Sequence, residues 1–118
     1  MARGDVLLIR LPVTNGREQS GQRPAVAVQT DIKGSPMLMI IPVTSNLSAL
    51  RYNFTVSIEP TTSNGLTLPS AAMVFQMRAI DKNRIIKKIG NISDKDMRLI
   101  DAEIWNMLKP TEPIQSDF

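Results

Sequence analysis

A small, mostly antiparallel β barrel or rolled sheet with one C-terminal helix is the fold the sequence predicts, and two patterns predict it. Short apolar or alternating runs recur between turn residues through most of the chain, and one clear helical periodicity follows Ser93. The strand-like runs are "GDVLLIRL" (Gly4 to Leu11), "RPAVAVQT" (Arg23 to Thr30), "PMLMIIPVT" (Pro36 to Thr44), "NFTVSI" (Asn53 to Ile58) and "AAMVFQMRAI" (Ala71 to Ile80). A weaker one follows at "RIIKKI", Arg84 to Ile89. Between the fourth and fifth, "PTTSNGLTLPS" carries Pro60, Gly65 and Pro69 and reads as an irregular excursion.

The helix has its own start and stop signals. Ser93 is a natural N-cap for "DKDMRLIDAEIWNML", Asp94 and Asp96 suit the positive end of the dipole, and Ile92 with Met97 can form a hydrophobic staple. Met97, Ile100, Ile104, Met107 and Leu108 cluster on one face, with Trp105 at its edge, so this is a packing helix. Leu99 falls about 200° away from that stripe at 100° per residue and is expected on the surface. Pro110 ends the helix, which makes residues 1–109 one domain and residues 110–118 a loose tail.

Composition narrows the chemistry. At 118 residues, with no cysteine and no histidine, the chain has neither a disulfide framework nor a thiol nucleophile, and it lacks the usual zinc ligand and the usual proton shuttle. No apolar run approaches the roughly 20 residues of a membrane span and "MARGD" is no signal peptide, so a soluble, cytoplasmic protein is expected. Residues 1–91 carry 11 Lys or Arg against 5 Asp or Glu, whereas residues 92–118 carry 3 against 6. The basic body suits a polyanion such as RNA or DNA, or an acidic protein partner.

Any chemistry must then rest on Arg, Lys, Thr, Ser, Gln, Asp and Glu. Arg23 stands where the polar loop "REQSGQ" becomes a strand, and Pro24 restricts it to extended conformations. Its guanidinium offers a planar fork that matches phosphate oxygens; a salt bridge at a strand end is the structural alternative. In "IIPVTSN" the apolar run gives out at Thr44 and Ser45, placing their hydroxyls on the sheet rim, where Ser45 and Asn46 also suit a turn that caps its own backbone. "FQMRAIDK" adds Gln76 and Arg78, two apart and hence on one face of a continuous strand.

The order "RGDV" (Arg3 to Val6), "EQSGQRPAVAVQTD" (Glu18 to Asp31), "PVTSN" (Pro42 to Asn46), "QMRAIDKNRI" (Gln76 to Ile85) and "IGNISD" (Ile89 to Asp94) resembles the MazF/PemK family of toxin endoribonucleases. The resemblance runs from residue 3 to about residue 108. It implies an SH3-like plasmid-toxin barrel with a C-terminal helix, a homodimer, cleavage of single-stranded RNA without metal or cofactor, and neutralisation by a cognate MazE-like antitoxin whose acidic tail occupies the RNA groove. It puts the family's catalytic arginine on Arg23 and its threonine on Thr44. Gln19, Gln76 and Arg78 match groove-lining positions, and Arg17 and Ser45 join them as RNA contacts.

The chain departs from the family at the proton-transfer positions. Phe75 stands where many relatives carry a carboxylate before the glutamine of "Q-x-R", and Arg17 where others have histidine or serine. Glu18, matching a family glutamate, is the remaining candidate base. Two other classes stay open: a gyrase poison of the same fold, like CcdB, against which "QSDF" replaces a terminal Trp-Gly-Ile, and a non-catalytic RNA-binding member that keeps the groove.

Overall fold

The computed structural model describes residues 1–11 and 21–114. Seven strands precede one helix: β1 (Asp5–Leu11), β2 (Gly21–Ala27), β3 (Met37–Thr44), β4 (Thr55–Ile58), β5 (Ser70–Met73), β6 (Arg78–Asp81), β7 (Ile85–Asn91) and α1 (Asp94–Leu108). All pairings are antiparallel, in the order β4-β5-β3-β2-β1-β7, with β6 also on β3. Since β6 flanks β3 and β7 flanks β1, the short 3₁₀ turn Lys82–Arg84 that joins them curls the sheet round. This is the mainly β architecture with a C-terminal helix that the sequence predicts.

The strands read as continuous apolar runs because both faces of the central sheet are buried. Val6, Val26, Ile41 and Val43 share one cluster with Val56, Ile58 and Ile100, whereas Leu7, Ile9, Ala25, Ala27, Leu38, Ile40 and Ile80 form a second on the opposite face. Successive residues of β2 therefore enter different cores. Each fully buried Val, Leu or Ile among them contributes about 1.5–3 kcal/mol relative to exposure.

The helix covers the first core through Ile100, with Met97, Ile104 and Met107 packed beside it. Ser93 is its N-cap, its hydroxyl accepting from the Asp96 N–H at 3.1 Å. Lys109 closes it in the left-handed region at φ 44°, just before Pro110. Leu108 departs from expectation: it is exposed, as the last residue of the helix, while Met107 beside it packs on the core. Arg3 fastens the helix to the sheet, donating from Nε to the Val28 carbonyl at 2.9 Å and pairing through Nη2 with Asp101.

Two strand limits differ from the sequence reading. The run Ala71–Ile80 is not one strand: β5 pairs with Val43 and Thr44, β6 pairs with Met37 to Ile40, and the 3₁₀ turn Val74–Gln76 stands off between them. The break falls opposite Ile41 and Pro42, and proline has no N–H with which to continue a ladder. In the run Arg23–Thr30 the strand ends at Ala27; the Val28 N–H still donates to the Met39 carbonyl at 3.2 Å, and the Gln29 side chain accepts from the Met39 N–H at 3.0 Å in place of a backbone carbonyl.

The excursion after β4 is ordered by one buried side chain. Asn64, 2% exposed, accepts at Oδ1 from the N–H groups of Thr61 and Leu66, both at 3.0 Å, and donates from Nδ2 to the Glu59 carbonyl at 2.9 Å. The segment then lies against β7 so closely that a Cβ on Gly90 would sit 2.4 Å from the Ser63 carbonyl oxygen. Among the described residues no helix is long and apolar enough to cross a membrane.

Candidate nucleic-acid interface

Strand register brings two of the singled-out residues together. β2 and β3 pair Ala27 with Ile40, Val26 with Ile41 and Ala25 with Pro42. The ladder ends there, with Arg23 and Thr44 each two residues beyond its last pair, and on its other side Arg23 faces Ile9 of β1. Residues two apart on a strand share a face, so Arg23 and Thr44 extend the rows of the second apolar core to the point where those rows run out. Both are half-buried. Gly21, two residues before Arg23, has φ 117°, a backbone that glycine alone adopts readily, and it pairs with Leu11.

Thr44 is held from the other direction. Its Oγ1 accepts the Asn46 N–H at 3.1 Å, and Asn46 Oδ1 in turn accepts from the Ser48 N–H at 3.2 Å and the Ser48 hydroxyl at 2.8 Å, capping the 3₁₀ turn Leu47–Arg51. The turn expected around Ser45 and Asn46 thus exists, with Thr44 as its first anchor, while Ser45 is exposed beside it.

Arg78 belongs to the same face. It pairs with Ile40 and precedes the buried Ile80 by two residues, which places it about 13 Å along β3 from the Thr44 level at roughly 3.3 Å per residue. Gln76 sits apart from it, in the 3₁₀ turn Val74–Gln76, so the two are not neighbours on one strand as the sequence suggested; both are exposed. Arg17, Glu18 and Gln19 lie outside the described residues, in the connection whose ends are fixed by the Leu11–Gly21 pair.

The surroundings are cationic. Neither the segment from Thr44 to Phe54 nor that from Ser70 to Ile80 contains an Asp or Glu, while Arg51 and Arg78 stand in them. Next to Arg23 and Thr44 in sequence, Pro24 and Ser45 line a cleft of about 290 Å³ with Leu8, Leu66, Leu68 and Ile89. Strand alternation turns Arg23 to the opposite face, so this cleft flanks the rim and does not contain the guanidinium. The sequence reading missed a further feature: Tyr52 and Phe75, remote in sequence, meet with ring centroids 5.4 Å apart. Only the aromatic character of each was visible beforehand.

Residues 2–108 match the family described as PemK-like, MazF-like toxin of type II toxin-antitoxin system. The endoribonuclease MazF of Staphylococcus saprophyticus is 35% identical over 106 residues, covering 88% of each chain. Among solved structures, a MazE–MazF crystal structure from Deinococcus radiodurans superposes with TM-score 0.74 at 18% identity, covering 94% of this chain and 97% of that one. A mycobacterial endoribonuclease in complex with its cognate antitoxin gives TM-score 0.72 at 17% identity, covering 96% and 99%. The fold is that of the MazF-like toxins, and the matched relatives are endoribonucleases. The chain belongs to the PemK-like, MazF-like toxin family of type II toxin-antitoxin systems.

Proposed function

We propose that the protein is a sequence-selective toxin that cuts single-stranded RNA in the cytoplasm without a metal, leaving 2′,3′-cyclic phosphate and 5′-OH ends. The observation that supports the proposal is the β2–β3 ladder, which ends at the Ala25–Pro42 pair, two residues short of Arg23 on one strand and of Thr44 on the other, where the apolar face runs out. RNA brings its own nucleophile in the 2′-OH, so the protein's task is to orient the phosphate and stabilise the charge that develops on it. Arg23, confined by Pro24, donates to the phosphorane oxygens. Thr44 Oγ1 already accepts from Asn46, which leaves its own proton to donate to a non-bridging oxygen.

Glu18 takes the 2′-OH proton in this reading, as the remaining candidate base in the matched motifs. Gln19, Gln76, Arg17, Arg78 and Ser45 bind the rest of the RNA. Two copies form a homodimer that shares the groove, and the partner that silences it is a MazE-like antitoxin with an acidic segment, suited to a rim whose segments 44–54 and 70–80 hold no carboxylate. The test is incubation of purified protein with a long single-stranded RNA in EDTA, followed by end analysis of the fragments. Discrete cuts with cyclic phosphate ends support the reading; retention of intact RNA supports a binding-only member.

A further inference from the structure

Two of the chain's five aromatic residues are exposed side by side, where an ordinary fold would bury them. Tyr52 is 49% and Phe75 37% exposed, with rings tilted 50° to one another. The Arg51 guanidinium carbon lies 4.9 Å from the Tyr52 centroid, and Arg51 Nη2 donates to the Tyr52 hydroxyl at 2.9 Å. The backbones beneath are fixed. Tyr52 N–H donates to the Ala49 carbonyl at 3.1 Å, the Thr55 hydroxyl donates to the Tyr52 carbonyl at 3.0 Å, and Phe75 N–H donates to the Phe54 carbonyl at 3.2 Å. Phe54 itself has φ 62°, a strained conformation for a bulky residue, retained at the point where the two segments join.

We propose that Tyr52, Phe75 and Arg51 form a stacking step for one nucleobase of the single-stranded RNA, next to the scissile phosphate, and so help to set which sequence is cut. This rests on the RNA-cleaving reading above and adds a base-contacting element to it. Tyr52 closes the 3₁₀ turn that starts from Thr44 and Asn46, while Phe75 directly precedes Gln76 and lies three residues before Arg78. A base held on the step is therefore flanked by the groups assigned to the backbone, and Gln76 is adjacent to read its edge. Bases of single-stranded RNA stack on aromatic rings and on guanidinium planes, and every base offers a π face. The alternative occupant, a second copy of this chain, is disfavoured by charge: a two-fold contact here would gather both copies' Arg51 and Arg78 in one interface with no Asp or Glu in either segment.

The experiment compares two fluorescent octamers by anisotropy at one fixed salt concentration. One is a 2′-O-methyl RNA of mixed sequence that cannot be cut; the other is a chain of abasic tetrahydrofuran sites with the same phosphates and no bases. Wild type is expected to prefer the base-bearing octamer. Phe75→Leu and, independently, Tyr52→Leu should weaken binding to it roughly tenfold while leaving the abasic octamer unaffected, and Phe75→Trp should restore or tighten binding. Arg78→Ala should weaken both. Unchanged base-bearing affinity in folded Leu variants, an equal loss on both octamers, or loss of self-association as the sole effect would overturn the step. Wild type that binds neither octamer would instead overturn the RNA reading itself.

Discussion

Arg23 receives its direction from its neighbours: Pro24 holds its backbone extended, Gly21 turns the chain into the strand, and Ile9 faces it from β1. Arg23→Ala should leave the fold standing, since the side chain lies at the end of the apolar rows and not among them. Loss of one such donor should lower the initial cleavage rate by roughly 10²-fold or more, with circular dichroism unchanged. Thr44→Ala should cost less and Thr44→Ser least, because serine keeps both the acceptor for Asn46 and the donated proton. Wild-type rates from folded Arg23→Ala protein would sink the assignment. Asp5 illustrates a residue whose electrostatics serve stability. Burial works to raise its pKa, but the Ala2 N–H, Lys88 at 3.2 Å and the terminal ammonium together hold it below the ordinary carboxylate value. A depressed pKa stabilises the fold above the unfolded-state pKa, and that stability disappears as pH falls through the folded one. Chemical denaturation should therefore show Asp5→Asn less stable than wild type at neutral pH, with the gap closing only below the ordinary carboxylate range; a gap constant down to pH 2 would refute the linkage.

At the scale of elements, what the sequence revealed followed from local pattern, and what it concealed depended on partners. β1, β3 and α1 could be read because apolar runs, turn residues and the Ser93 cap lie within each segment. The break between β5 and β6 could not, since Ala71 to Ile80 is apolar enough for one strand and is divided only because β3 pairs with its two halves separately. Arg23 and Thr44 could each be singled out as polar residues at strand ends, but that both lie two residues past the last pair of one ladder is a property of register. Asn64 was equally hidden: within "PTTSNGLTLPS" it looks like any turn residue, yet it is the bonding centre of the whole excursion. Asn64→Ala would strand two N–H groups and a carbonyl in a buried setting. A loss of about 1–3 kcal/mol or more is expected from the unsatisfied groups, read as a lower denaturation midpoint. Asn64→Asp should recover part of it, because the acceptor bonds survive and only the donor to Glu59 is lost. A midpoint within error of wild type for Asn64→Ala would mean that water replaces the side chain fully.

Across the whole molecule, charge is divided along the sequence. The barrel-like body carries the cations around Arg23, Arg51 and Arg78, whereas α1 and the segment after it carry most of the acidic residues. The helix also leaves apolar side chains uncovered: Leu99 is 45% and Trp105 53% exposed, and Leu99 borders a cleft of about 280 Å³ against β4 with Val56, Ala102 and Glu103. Single exposed leucines are ordinary on a protein surface, but an exposed Trp on the same helix adds area that a second copy would cover. We expect a dimer of twice the 13.1 kDa chain mass at micromolar concentration in sedimentation. Moderate salt should leave it intact, because apolar burial is not screened as surface charges are, while RNA binding at the cationic rim should weaken steeply over the same range. If the helix face forms the seam, Leu99→Glu should shift the dimer toward monomer without altering the helix content, and cleavage should fall with the dimer fraction, as the proposed shared groove requires. A strictly monomeric wild-type protein that still cuts RNA would refute the shared groove. A dimer indifferent to Leu99→Glu would move the seam to another face and leave the helix as a surface element.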